Sequence, residues 1–174
     1  MRVLIVGGVA AGMSAATRLR RLREDAEIIV FEAGENVSYA NCGLPYFVSD
    51  VISDRDALLL QTPESLWRRF RLEVRTSTRV TAIDRAASTI TAVNTITGEE
   101  LTDNYDYLVL ATGARPRTLD VPGGERALAL RDVADADRLK TAAANAKTAV
   151  VVGAGFVGVE VAENLRHLGL EVTL

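Results

Sequence analysis

Short apolar runs set the frame of this chain. Residues 3–6 (Val-Leu-Ile-Val), 107–111 and 149–152 are continuously apolar rather than alternating, and 26–31 is apolar but for Glu27. That pattern belongs to strands buried on both faces of a parallel sheet. The first run enters a glycine-rich turn at residues 7–12, then a helical pattern from about Ala11 to Arg23, then the second run, which ends at Glu32. Residues 33–61 read as loop-rich, with Gly34, Gly43 and Pro45 as breakers. Thr62-Pro63-Glu64 starts a helix with a hydroxyl cap, a proline in the first turn and an acid near the positive end of the helix dipole. That helix is expected to end near Phe70. From Leu72 to Thr102 apolar and polar positions alternate, which predicts two or three antiparallel strands with a hairpin turn at Thr97-Gly98. Residues 114–130 read as a connector and residues 132–144 as a surface helix. The fourth apolar run opens a second glycine turn, a helix to about Leu168 and a last strand from Glu171. A strand, glycine turn, helix and strand therefore occur twice.

Composition narrows the chemistry. Twenty basic against twenty-three acidic residues give a net charge of −3, which argues against nucleic acid as a partner. No apolar run is long enough to cross a bilayer. One cysteine and one histidine exclude an intrachain disulfide, a Cys-rich zinc site and a His-cluster metal site. We expect no metal. The N-terminus shows no signal-peptide pattern, so a reduced, cytoplasmic setting is expected and Cys42 should be a thiol or thiolate.

A glycine turn between strand and helix can hold a pyrophosphate. One glycine makes the turn, one lets the backbone approach the phosphates, and one lets helix and strand pack closely, while the helix N-terminus supplies free N–H groups. Gly153-x-Gly155-x-x-Gly158 meets the pattern in full; Gly7-x-Val9-x-x-Gly12 has valine in the middle. Glu32, at the end of the second strand, is placed for the ribose hydroxyls. The plain alternative is a close helix–strand turn with no ligand. Two copies, one with its acid in place, favour two dinucleotide sites. The second copy stops before the position of its own acid, so the chain reads as a fragment of a longer protein.

One segment carries a specific likeness. With Ser38-Tyr39-Ala40-Asn41-Cys42-Gly43-Leu44-Pro45-Tyr46, Leu60-Gln61-Thr62-Pro63-Glu64, the Ala111-Thr112-Gly113 strand end and both glycine turns, the whole chain resembles the FAD-dependent pyridine nucleotide-disulfide oxidoreductases. It is most similar to their single-cysteine branch: coenzyme A disulfide reductase, persulfide reductase and NADH oxidase/peroxidase. Valine at the middle glycine is usual in that branch. The resemblance implies an α/β fold: a Rossmann-like FAD-binding domain with an inserted antiparallel meander, then the start of a second Rossmann unit for NAD(P). Residues 1–115 would be the first FAD-binding segment, 116–146 a connector, and 147–174 the start of the NAD(P)-binding domain.

It further implies FAD over Gly7, Val9, Ala10, Ala11 and Gly12, with Glu32 and Ala33 at the adenosine ribose and the Val80 backbone at the adenine. Ala111, Thr112 and Gly113 would line the flavin edge, with Arg131 near it. NADH or NADPH would lie on Gly153, Gly155, Phe156, Val157 and Gly158. Electrons would run from nicotinamide through FAD to sulfur at Cys42.

Cys42 has a chemistry of its own. Disulfide exchange needs an accessible thiolate. A single cysteine cannot store electrons as its own disulfide, so it must form a mixed disulfide, a persulfide or a sulfenic acid. Gly43 and Pro45 are expected to expose the backbone after it. The plain alternative is a small buried hydrophobe.

At about 100° per residue, Ser14, Arg18 and Arg21 share a face of the first helix, while Ala15, Leu19 and Leu22 point toward the core. Arginines suit phosphate groups through forked hydrogen bonds. The alternative is a solvated basic face. In the coenzyme A disulfide reductases this face, with the serine and asparagine before the cysteine, contacts coenzyme A; the matching residues are Ser14, Arg18, Arg21, Ser38 and Asn41. A further basic contact of that family falls at Phe70, where Arg69 or Arg71 is the substitute. His167, Trp67 and Phe70 read as structural.

The expected function is NAD(P)H-dependent reduction of a coenzyme A-type disulfide or persulfide, by a protein that is a homodimer at full length. Two rivals remain: an NADH oxidase/peroxidase cycling Cys42 through sulfenic acid, and a non-catalytic dinucleotide-binding piece. The fragment alone is expected to turn over poorly.

Overall fold

Val3, Leu4 and Ile5 are buried without exception, and this is why Arg2–Val6 becomes the interior strand β1 of a parallel sheet. Its neighbours are β2 (Glu27–Phe31) on one side and β7 (Tyr107–Leu110) on the other; β3 (Leu72–Arg75) lies beyond β2, giving the order β3-β2-β1-β7. Every pairing is parallel. The computed structural model describes residues 1–174, and these divide into two units.

The first unit comprises Met1–Tyr39 and Leu59–Ala114. Successive side chains of a strand face opposite ways, and here both faces are covered. Val3, Ile5, Ile28 and Val30 pack with Met13 and Ala16 of α1 (Ala10–Leu22) and with Leu66 of α3 (Pro63–Phe70). Leu4, Ile29 and Phe31 pack with Ile90 and Ala92 on the other face. These last two belong to an antiparallel meander, β4 (Thr78–Asp84), β5 (Thr89–Asn94) and β6 (Glu100–Asn104). Gly98, at φ +76°, makes the predicted turn between β5 and β6. Thr62 caps α3 by accepting from the Ser65 N–H, and Ser65 returns the bond to the Thr62 N–H.

Asp103 of β6 ties the meander to the parallel sheet. Its buried carboxylate accepts from Arg2 at 2.6 Å and from Arg75 at 2.9 Å, and the Arg75 guanidinium lies 5.2 Å above the Phe31 ring. Asp103→Ala leaves two half-buried guanidinium groups without that acceptor. We expect a loss of about 3 kcal/mol in stability, read from denaturant unfolding.

The second unit comprises Ala40–Leu58 and Arg115–Leu174. It holds α2 (Leu44–Val48), α4 (Val133–Ala143), and the pair β8 (Thr148–Val150) and β9 (Glu171–Thr173), which are parallel and joined through α5 (Phe156–His167). The Asp132 carboxylate caps α4 by accepting from the Asp135 N–H at 2.8 Å. Helix α2 packs on both α4 and α5.

Three expectations need correction. Residues 72–75 are not antiparallel: β3 joins the parallel sheet beside β2, because Leu72 is buried in the same cluster as Ile28 and Val30. The loop-rich stretch 33–61 also carries α2 and two 3-10 turns, Asn41–Gly43 and Arg55–Leu58, which are too short to show a period. Helix α1 buries Gly12, Met13 and Ala16, with Leu19 partly covered; Leu22 is exposed and Ala15 only half-buried. Finally, Gly43 and Pro45 do not expose the backbone after Cys42. Both are buried, and Pro45 opens α2 in its first turn. No helix is long and apolar enough to cross a membrane, and no three His, Cys, Asp or Glu residues are grouped to hold a metal ion.

Candidate functional site

The two glycine turns have nearly the same backbone. Gly7 has φ +107° and Gly153 φ +108°, values an L-side chain rarely adopts. A Cβ on Gly12 would meet the Gly7 carbonyl oxygen at 1.8 Å, and one on Gly158 the Gly153 carbonyl oxygen at 1.9 Å. The first glycine of each turn is therefore demanded by its positive φ and the last by close approach of helix to turn. The middle position differs. Val9 has φ −108° and Gly155 φ −74°, and a Cβ on Gly155 would meet nothing within 4 Å. The fold does not require glycine there, which accounts for the valine of the first copy.

The helices behind these turns are electrostatically distinct. α3 and α4 have side-chain caps and an acid in the first turn, Glu64 and Asp135. α1 and α5 have no side-chain cap and no acid in the first turn. Their leading N–H groups and positive dipole ends suit an anion.

Around the first turn, sequence-predicted residues do come together. Gly7 lies against Ala111, whose carbonyl oxygen would be 2.1 Å from an added Cβ, and the Ala111 N–H donates to Val6. The Glu32 carboxylate accepts from the Gly8 N–H at 2.7 Å and from the Gly34 N–H at 2.8 Å, which places it, half-buried with Ala33, beside the turn. Ionised, it keeps acceptor capacity for further donors. Strand β4 departs from the same point, since the Thr78 N–H donates to the Glu32 carbonyl. Val80 follows on β4, half-buried, and the pairing of β4 with β5 shifts register between Val80 and Ala82. Thr112 and Gly113 are exposed beyond β7, and Gly113 turns at φ +68°. Ala10 and Ala11 are exposed at the start of α1.

Ser14, Arg18 and Arg21 all lie exposed on α1, as their spacing predicts. Arg20, by contrast, closes the carbonyls of Phe70 and Arg71 at 2.8 and 3.0 Å, and so ties α1 to the end of α3. Phe70 packs on the core, whereas Trp67 is half-exposed with the Arg71 guanidinium 5.5 Å from its ring. Ser38 sits at φ +50°, its N–H donating to the Gly8 carbonyl and its carbonyl accepting from Leu60. Gly8, which the glycine spacing did not single out, joins the same cluster: its N–H donates to Glu32 and its carbonyl accepts from Ser38, and the doubled glycine at 7–8 was the available signal.

The second unit holds the rest. Asn41 and Cys42 are exposed on a 3-10 turn that runs straight into α2. Gly43 lets that turn press on the core, since a Cβ there would be 2.9 Å from Leu58 Cδ2 and 3.2 Å from Ile52 Cδ1. Gly153, Gly155, Phe156 and Val157 are exposed at the second turn, and Gly158 is half-buried. Arg131 precedes the cap of α4, its N–H donating to Asp135 at 2.9 Å. His167 is exposed in the last turn of α5.

The family described as pyridine nucleotide-disulphide oxidoreductase matches residues 1–174. The chain belongs to this family. It is 38% identical over 174 residues to coenzyme A disulfide reductase of Staphylococcus epidermidis, covering 99% of this chain and 40% of that protein. The chain thus spans about two fifths of the length of the curated relatives it matches. Among solved structures it resembles reduced CoADR-RHD of Bacillus anthracis, with a TM-score of 0.95 and 47% identity over 99% of this chain and 32% of that one. It also resembles an NAD-dependent persulfide reductase from A. fulgidus, with a TM-score of 0.93 and 40% identity over 99% of this chain and 33% of that one. The water-forming NADH oxidase from Lactobacillus brevis, solved with NADH bound, matches with a TM-score of 0.92 and 31% identity over 100% of this chain and 39% of that one. These likenesses agree with the mixed α/β fold read from the sequence.

Proposed function

We propose that the intact protein is an NAD(P)H-dependent flavoprotein that reduces a disulfide or persulfide of coenzyme A type through Cys42. The observation that carries this reading is the pairing of two near-identical, uncapped glycine turns with one exposed cysteine. The family and the named relatives agree with it.

The first turn fits FAD. Its outer glycines leave no room for side chains, its helix end is open to an anion, and Glu32 is aimed at its edge. In this reading Gly7 to Gly12 hold the pyrophosphate and Glu32 with Ala33 flanks the ribose. Val80 meets the adenine, and Ala111 to Gly113, with Arg131, flank the ring. Gly153, Gly155, Phe156, Val157 and Gly158 hold NADH or NADPH. Residues 1–115 form the first FAD-binding segment, 116–146 connect, and 147–174 open the NAD(P)-binding domain. Bound FAD supplies the two-electron chemistry between nicotinamide and sulfur.

Cys42 supplies the nucleophile. Its thiolate attacks a disulfide R–S–S–R, forming Cys42–S–S–R and releasing RS⁻. Two electrons and one proton then return the Cys42 thiolate and RSH. Ser14, Arg18 and Arg21 offer a hydroxyl and two guanidinium groups to the phosphates of a coenzyme A-type substrate, and Ser38 and Asn41, which precede Cys42 in the sequence, offer further hydrogen bonds to it. The intact protein acts as a homodimer in the cytoplasm, where thiols are kept reduced. The likeness to a water-forming NADH oxidase favours one second reading, in which Cys42 cycles through sulfenic acid.

The test is colour and turnover. The intact protein should purify yellow, bleach when NADH is added without air, and recover its colour on addition of coenzyme A disulfide. Recovery only with oxygen or peroxide would favour the oxidase reading, and a colourless preparation that takes up no FAD would overturn both. Glu32→Ala should lower flavin content and stability together, by about 1–3 kcal/mol in the latter, because the Gly8 and Gly34 N–H groups lose their acceptor. The ratio of flavin to protein absorbance and a thermal melt measure the two effects.

A further inference from the structure

Seven positions after Cys42 the same helical stretch ends in a buried hydroxyl. The 3-10 turn Asn41–Gly43 continues without a break into α2, and Ser49 closes it, only 3% exposed. The Ser49 Oγ donates to Asn164 Oδ1 at 2.5 Å. Asn164, 4% exposed, sits on α5, and its Nδ2 donates to the Glu160 carbonyl at 2.7 Å. That second bond fixes the amide: turned over, Asn164 would set two acceptors against each other. The one Ser49 proton is therefore committed to Asn164 rather than to the Tyr46 carbonyl at 3.1 Å.

Asparagine is a poor helix former and is rarely buried. Here it is buried in the interior of α5, beside the buried Ala162 and Leu165, and its bond joins two elements 115 residues apart in the chain. Two exposed ties support the same attachment from α4. The Lys140 ammonium bonds Asp50 at 2.6 Å and lies 4.0 Å from the Phe47 ring centroid, and Arg55 pairs with Asp137 at 3.0 Å. Asp50, directly after Ser49, takes φ +63°, a strained value for a residue with a side chain.

We propose that Ser49 and Asn164 are positioning residues that lock the segment bearing Cys42 to the helix behind the second glycine turn, so that dinucleotide bound at that turn changes the reactivity of Cys42. The proposal rests on the reading of residues 153–158 as a dinucleotide site. α5 starts at that turn and reaches Asn164 about 12 Å along its axis; α2 and its leading turn carry the constraint about 10 Å further to Cys42. Both pieces are hydrogen-bonded rods, so a shift at one end is passed to the other. By linkage, a substituent on Cys42 must change dinucleotide affinity by the same factor that the dinucleotide changes the equilibrium at Cys42.

The experiment measures the rate of Cys42 carbamidomethylation by iodoacetamide, followed by mass, with and without saturating NAD⁺. It uses the intact protein, Ser49→Ala, Asn164→Leu, the double variant and Ser49→Thr, and a parallel calorimetric titration with NAD⁺. In the unaltered protein NAD⁺ should change the rate by about fivefold or more. In each single variant that ratio should fall toward one, the double variant should match the singles because both remove one bond, and Ser49→Thr should restore it. A ratio unchanged in the variants, even with a lower melting temperature, would reduce the pair to packing and overturn the proposal. So would a ratio of one in the unaltered protein with NAD⁺ bound. If calorimetry detects no binding of NAD⁺, and none of NADP⁺ in its place, the dinucleotide reading itself fails, and this proposal with it. Should Asn164→Leu not fold, Ser49→Ala, which removes a single oxygen, carries the test with the same outcomes.

Discussion

Cys42→Ser should lower the rate of NAD(P)H-dependent coenzyme A disulfide reduction by the intact protein about a thousandfold or more, a loss of roughly 4 kcal/mol of transition-state stabilisation. The argument is chemical. A serine hydroxyl is not ionised near neutral pH and cannot form a mixed disulfide, so the route through Cys42–S–S–R is removed rather than slowed. These 174 residues hold no second cysteine to take over. The substitution should cost little in folding, because Cys42 is exposed and its packing neighbour Gly43 is untouched. Flavin content and melting temperature should therefore stay near those of the unaltered protein while turnover collapses. Steady-state NADH consumption with disulfide, persulfide and peroxide as separate acceptors measures the effect. Unchanged rates with all three would remove Cys42 from the reaction.

The sequence showed most where residue identity alone sets the local structure. The apolar runs at 3–6, 26–31 and 107–111 became adjacent parallel strands, the first two buried inside the sheet and the third an edge strand with Tyr107 and Leu110 exposed. The glycines at 7, 12, 153 and 158 announced both turns, because a positive φ or a backbone contact under 2 Å leaves no other choice. The sequence failed where long-range partners decide. Leu72 and Val74 alternate as a solvated hairpin strand would, yet pairing with β2 recruits them to the parallel sheet. Leu22 lies on the side of α1 read as buried, but the core ends at Leu19 and the helix runs past it. Gly43 looked like a device for exposing backbone and is instead a device for packing, since its neighbours Leu58 and Ile52 arrive from a later stretch of chain. For the same reason the Ser49–Asn164 bond had no local signature beyond an asparagine at a helix interior position.

Gly12→Ala should be the most damaging single-methyl change in the first unit. The added Cβ would stand 1.8 Å from the Gly7 carbonyl oxygen and 3.0 Å from its carbon, both backbone atoms. No rotamer relieves such a contact, so α1 must move off β1 and the turn, and Met13 and Ala16 leave the core cluster with it. We expect about 3 kcal/mol or more of lost stability and an apoprotein that no longer holds FAD. Gly158→Ala repeats the geometry at 1.9 Å and should unseat α5 in the same way. Gly155→Ala is the control. Its φ of −74° suits alanine and nothing lies within 4 Å of the new methyl, so its stability should stay within about 0.5 kcal/mol of the unaltered protein. Any effect there should fall on dinucleotide affinity alone, because the methyl would stand only in the path of a phosphate. Thermal melts, flavin content and NAD⁺ calorimetry on the three variants separate the two roles of glycine. Equal melting temperatures across all three would mean that α1 and α5 do not press on their turns as described, and the electrostatic case for both anion sites would lose its geometric support.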